Sequence, residues 1–134
     1  MTNNDAKFLS AMREAVAANP SYVYPQSQIV SPSGGVGDCT YLVWERSDRF
    51  GNNAKPTDQP SCIVGHGILN SGLSNMDFLR QVEGERAGAL NLPLSNEAKM
   101  FSDEIQSSQD SGNTWGNAWN EACEKFPELN LEPV

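Results

Sequence analysis

The sequence predicts an α+β fold, mainly α, with about five short helices packed on a small two- or three-stranded β element. Three observations carry this expectation. Apolar residues recur at intervals of three and four near both ends of the chain, and one run alone reads as a good strand. The 134 residues fit one domain of the usual roughly 100–200. A single globular domain over residues 1–134 is therefore expected, with a long polar loop at about 45–59 and an extended tail at about 127–134.

The first helix follows from Phe8, Met12 and Val16 at a spacing of four, with Leu9 and Ala15 beside them. Asn4 or Asp5 is its expected cap, and Asn19-Pro20 ends it, because the residue before proline is pushed out of the α region. Tyr22-Val23-Tyr24 is β-prone but is cut by Pro25, and Gln28-Ile29-Val30 reads as a short extended piece. A loop of turn formers, Ser31 to Asp38, leads into Cys39-Thr40-Tyr41-Leu42-Val43-Trp44, the best strand in the chain. Both faces of that strand are largely apolar, so it is expected to be covered on both sides. Residues 45–59 show no period and read as a polar loop or a frayed hairpin.

From Pro60 the pattern turns helical, with Asp58 as the expected cap and Cys62, Ile63, His66, Ile68 and Leu69 as a partly apolar stripe. Gly72 supplies the stop. Gly65 and Gly67 weaken this helix by about 1 kcal/mol each and fit it where another backbone packs closely. Ser74 or Asn75 caps a short helix with Met76, Phe78, Leu79 and Val82. Ser95 caps the next, with Ala98, Phe101 and Ile105, and Asp110-Ser111-Gly112 ends it. Asn113 is expected to start the last helix, whose stripe of Trp115, Ala118, Trp119, Ala122 and Phe126 is the cleanest in the chain.

Composition excludes several function classes. Nine basic residues against 17 acidic give a net charge of −8, which argues against a generic nucleic-acid binder, since phosphate neutralisation needs clustered Lys and Arg. The start shows neither the basic nor the apolar region of a signal peptide, and no stretch approaches the roughly 18 apolar residues of a membrane span. Three cysteines, Cys39, Cys62 and Cys123, make an odd number and read as reduced thiols. A cytoplasmic protein without membrane contact is expected.

Among chemical motifs, Cys62 and His66 stand at i and i+4 in the expected helix, and with Cys39 and Cys123 would complete a tetrahedral zinc set. No Cys-x2-Cys knuckle supports it, so no metal is expected, and the same residues read as buried packing. Gly37-Asp38-Cys39-Thr40-Tyr41-Leu42-Val43 resembles the nucleophile segment of NlpC-type cell-wall peptidases. Thr40 and Tyr41 replace the small pair at the helix start that lowers the thiol pKa there. Gly34-Gly35-Val36-Gly37 lacks the Gly-Lys-Ser/Thr ending of a phosphate loop, and no cofactor is expected. No catalytic residue is assigned, and the chain leans away from being an enzyme.

The surface says more. Residues 94–134 hold eight acids, Asp103 and Glu104 among them, against Lys99 and Lys125, a face suited to steering a basic partner. The tryptophans and tyrosines are many for so small a core, and an exposed Trp119 would make its helix a docking face. Candidate binding residues are therefore Asp103, Glu104, Arg46, Asp48, Arg49 and Trp119.

Pro60-Ser61-Cys62-Ile63-Val64-Gly65-His66 and Gln109-Asp110-Ser111-Gly112-Asn113-Thr114-Trp115-Gly116-Asn117-Ala118 together resemble an uncharacterised family of small proteins of actinobacteria and their bacteriophages. Cys39-Thr40-Tyr41, Leu79, Glu83 and the helix from Ser95 match its layout over roughly residues 22 to 122. The resemblance implies a genomic setting and no reaction. In that setting the expected function is that of a small acidic accessory protein that binds and modulates a host or phage protein. The alternative is a thiol- or zinc-dependent enzyme, or a zinc-stabilised module, centred on Cys39, Cys62 and His66. A third expectation is a homodimer that uses the Trp115 helix.

Overall fold

The computed structural model describes residues 1–34, 39–46 and 53–134. In chain order it holds α1 (Asn3–Ala18), β1 (Leu42–Arg46), β2 (Ala54–Pro60), α2 (Ile63–Ser71), α3 (Met76–Gln81), α4 (Asn96–Asp110) and α5 (Trp115–Lys125), with three single 3-10 turns. The mainly α, α+β architecture expected from the sequence is what the chain adopts: five helices and a two-stranded antiparallel sheet among the described residues. Among the described residues, no helix is long and apolar enough to cross a membrane.

The helix caps show how local sequence sets the elements. Thr2, not Asn4 or Asp5, caps α1: its Oγ1 accepts from Asp5 N at 3.0 Å, and Asp5 returns a bond to Thr2 N. Asp5 is thus the third helical residue of a capping box. Its second oxygen accepts from Ser95 N at 2.9 Å and so ties the start of α1 to the cap of α4. Asn75 and Ser95 cap α3 and α4 as expected. Thr114, one residue later than expected, caps α5, while Asn113 Nδ2 turns back to Ser108 Oγ at 2.8 Å.

Of the two readings of residues 45–59, polar loop or frayed hairpin, the structure takes the second over the described residues. Residues 54–60 are not loop but β2, paired with β1 in the register Leu42–Pro60, Trp44–Pro56 and Arg46–Ala54. Pro56 and Pro60 fit because β2 is an edge strand, where a missing N–H need not break a ladder. Pairing draws Asp58 into the strand, so α2 starts later than expected and takes Cys62 as its cap, whose Sγ accepts from Gly65 N at 3.4 Å.

β1 in turn starts at Leu42 rather than Cys39. Thr40 N donates to the Tyr24 hydroxyl, and Tyr41 N to the Glu83 carboxylate, so side chains take the bonds a longer ladder would use. Val43 faces solvent, which corrects the expectation of cover on both faces.

One core joins all five helices and β1. Phe8, Leu9, Met12 and Val16 of α1 meet Ile63 and Ile68 of α2, Leu79 of α3, Phe101 and Ile105 of α4, and Trp115 and Trp119 of α5. The glycines of α2 mark its closest approaches. A Cβ on Gly65 would stand 2.2 Å from the Tyr41 carbonyl oxygen, and one on Gly67 would stand 2.4 Å from Met12 Cγ. Gly116 of α5 likewise sits under the Pro20 carbonyl, to which its N–H donates at 2.7 Å.

The tail is pinned rather than loosely extended. A 3-10 turn, Pro127–Leu129, buries Leu129. The Glu132 carbonyl accepts from Trp119 Nε1 at 2.8 Å and from Arg13 Nε at 3.0 Å.

Candidate functional site

α4 presents Met100, Asp103, Glu104, Ser107 and Asp110 on one face, because residues three and four apart share a side of a helix. Opposite that face lie Gly84, Glu85 and Arg86 after α3, and Cys39 and Tyr41 at the entrance to β1. Together with Phe126 they enclose an open cleft of about 810 Å³. Among the described residues, four carboxylates (Glu85, Asp103, Glu104 and Asp110) line it against the single guanidinium of Arg86. Met100, 59% exposed, adds a flexible apolar contact at its edge.

Several of these groups are already engaged. Asp103 accepts from Gly88 N at 2.6 Å and pairs with Arg86, so it fixes the cleft wall as well as charging it. Glu104 pairs with Lys125. The Tyr41 hydroxyl donates to the Glu85 carbonyl at 2.5 Å, and burial pushes its pKa far up. Behind the wall, the Glu83 carboxylate accepts from Tyr41 N, Leu42 N and Trp44 Nε1 at 2.6, 3.2 and 2.5 Å. Burial raises its pKa despite those three donors.

At the inner end, Cys39 and Asp110 line the cleft, and Cys62 lies behind it: the Tyr24 hydroxyl bonds Thr40, next to Cys39, and Ser61, next to Cys62. Gln106 Nε2 reaches Cys39 Sγ at 3.5 Å. Burial, followed by the neighbouring thiol, pushes Cys62 well above its ordinary value, and burial raises Asp110.

The structure sorts the residues expected from the sequence. Asp103 and Glu104 meet in the cleft and are joined by Cys39. Arg46 lies outside that lining, where its Nε donates to the Gly34 carbonyl at 3.3 Å. Asp48 and Arg49 lie outside the described residues.

Trp119 is 0% exposed, which corrects its place among the binding residues. Phe101 packs edge-on against it at 5.2 Å and the tail takes its N–H. Trp115 is buried as well, so α5 offers no tryptophan for docking or for a homodimer.

Cys39, Cys62, His66 and Cys123 do not form one site. His66 lines a second cavity, of about 570 Å³, beside Tyr22 and Trp115, and its ring stands 5.5 Å from that of Trp115. Burial lowers its pKa. Cys123 sits on α5 in the field of Arg13. Among the described residues, no three His, Cys, Asp or Glu side chains are grouped so that they could hold a metal ion.

Glu85, Met100, Gln106 and Asp110 were not picked out as site residues from the sequence. Asp110 reads there as part of a helix stop, and Met100 as one apolar residue off the stripe. Met100 and Asp110 share one signal, the spacing 100, 103, 104, 107, 110 on a single face of α4, whereas Glu85 and Gln106 carry none.

The two segments that carry the family resemblance pack on each other. Gln109 Oε1 accepts from Ile63 N at 3.1 Å, and His66 meets Trp115. Comparison with protein-family models, with curated proteins and with solved structures finds no match.

Proposed function

We propose that this chain is a binding protein whose acidic cleft receives a basic segment of another protein. In the setting the resemblance implies, that protein belongs to a phage or its actinobacterial host, and occupation of the segment modulates it. The observation that carries this reading is the lining of the cleft, four carboxylates against one guanidinium among the described residues, with Met100 exposed at the edge. Such a surface attracts Lys or Arg by field and an apolar neighbour by contact. The negative field of the lining matters more for encounter rate than for final affinity, so salt should weaken binding steeply.

The test uses labelled peptides that alternate Lys with Leu, Glu with Leu, or Ser with Leu, followed by fluorescence anisotropy. The Lys peptide is expected to bind, and Glu85→Lys combined with Met100→Lys to weaken it by about tenfold or more, equivalent to roughly 1.4 kcal/mol. Neither position carries a fold contact through its side-chain tip, unlike Asp103 with Gly88 and Glu104 with Lys125. Equal binding of the Glu peptide, or no loss in the double variant, refutes the proposal. Capture from phage-infected actinobacterial lysate, with the double variant as control, then identifies the partner.

A further inference from the structure

The binding role makes no use of the two thiols at the inner end of the cleft. Cys39 is half-buried and lines the cleft, whereas Cys62 is fully buried behind it as the cap of α2. The Tyr24 hydroxyl bonds both Thr40, next to Cys39, and Ser61, next to Cys62, and Ser61 N donates to the Tyr41 carbonyl, so the backbone brings the two cysteines side by side; Gln106 Nε2 reaches Cys39 Sγ, and Asp110 lines the cleft with it. An accessible thiol, a sequestered thiol beside it and a carboxylate in the same cleft are the parts a two-step thiol–disulfide exchange requires. We propose that Cys39 and Cys62 form a reversible dithiol–disulfide pair opening on the acidic cleft, with small cationic disulfides as its preferred oxidants.

The order of events follows from access. Cys39 is met first by a reagent RSSR entering the cleft. Its proton passes to Asp110 as the thiolate attacks one sulfur; a Cys39–SR bond forms and the S–S bond of the reagent breaks. The leaving thiolate RS⁻ takes that proton from Asp110. Cys62, kept protonated and out of reach by burial, then lies next to the new mixed disulfide. It loses its proton and attacks Cys39 Sγ, the Cys39–Cys62 bond forms, and the second RS⁻ leaves with that proton. The protein gives up two hydrogens and two electrons, and RSSR becomes two RSH. Two carboxylates outside this exchange, Glu85 and Asp103, with Glu104 beside them, hold the local field negative. A cationic reagent is therefore concentrated at Cys39 and an anionic one repelled.

The experiment compares cystamine, bis(2-hydroxyethyl) disulfide and dithiodiglycolate on native protein carrying Cys123→Ser, read by intact mass and non-reducing peptide mapping. Loss of two hydrogens with a Cys39–Cys62 cross-linked peptide, reversed by dithiothreitol, is the expected result. Cys62→Ser keeps a capping atom for α2 and should stop at a mixed disulfide on Cys39; Cys62→Ala, checked by near-UV circular dichroism, should do the same. Cys39→Ser should not react. Cystamine should outpace dithiodiglycolate by about tenfold or more at low salt, with the gap closing at high salt. A Cys39 mixed disulfide that persists while Cys62 is present, or no reaction at Cys39, overturns the pair. Equal rates for the three reagents overturn the preference for cations.

Discussion

Removing the acceptor at Glu83 tests the account of how the cleft wall is built. After α3 the chain sends this carboxylate to the start of β1, where it accepts from two backbone N–H groups and the Trp44 indole. Tyr41 and Leu42 are buried, so their amides have little access to water. Each bond to a charged acceptor is worth about 1.5–3 kcal/mol, and each orphaned buried donor costs a similar amount. Against this stands the cost of burying the carboxylate, the same cost that raises its pKa. Glu83→Ala should therefore lower stability by about 3–4 kcal/mol. Glu83→Gln keeps one oxygen but turns an NH₂ group toward Tyr41 N or toward the Leu42–Trp44 pair of donors, so about 2 kcal/mol should go. Urea unfolding followed by tryptophan fluorescence and circular dichroism measures both.

The pH dependence has a definite sign. The folded pKa of Glu83 is raised, so its linked contribution is fully present below the unfolded pKa and is lost as pH rises through the folded value. The lead of the wild type over Glu83→Gln should thus shrink between pH 4 and pH 7. A Gln variant within about 0.5 kcal/mol of wild type would refute the reasoning, as would a lead that grows with pH.

Three further outcomes are expected. Gly65→Ala should cost about 3 kcal/mol or more because its Cβ meets the Tyr41 backbone, whereas Gly67→Ala should cost about 1 kcal/mol, since Met12 and Phe8 can shift and alanine favours the helix; urea midpoints in the reverse order would contradict this. The folded pKa of His66 is lowered by burial, so its contribution is full above the unfolded value and is lost as pH falls through the folded one. His66→Phe should flatten the decline in melting temperature between pH 7 and pH 5, and an unchanged decline would count against it. A Cys39–Cys62 bond would enclose the β1–β2 hairpin and, by loop closure, add about 3 kcal/mol, a rise of roughly 10 °C in melting temperature. Calorimetry of oxidised and reduced protein reads this directly, and equal midpoints would speak against an unstrained bond.

Where a residue's environment was set by its near neighbours, the sequence was enough to read it. Phe8, Met12 and Val16, Ala98, Phe101 and Ile105, and Trp115, Ala118, Trp119 and Ala122 all lie in the core as their spacing implied. β2 was hidden because Lys55, Pro56, Thr57, Asp58, Gln59 and Pro60 show no apolar alternation. What holds the strand is backbone pairing and the bond from Thr57 Oγ1 to the Val43 carbonyl at 2.8 Å. The burial of Trp119 owes part of its cover to Glu132, thirteen residues away. No helical period encodes that contact.

The thiols show the limit most clearly. Cys62 and His66 invite pairing at i and i+4, but that rule holds only for residues inside a helix. Cys62 is the cap, with extended backbone at φ −103° and ψ 172°, so its side chain leaves the helical face that His66 occupies. It turns back to Gly65 N and meets Cys39, while His66 goes to Trp115 and the second cavity. One shift in helix start thus separates the imidazole from the thiols. The chain's single histidine is not among the residues lining the cleft, and Cys39 has there a carboxylate and a second thiol. That chemistry fits disulfide exchange and the binding of cations, and it lacks the oriented imidazole that a cysteine hydrolase needs.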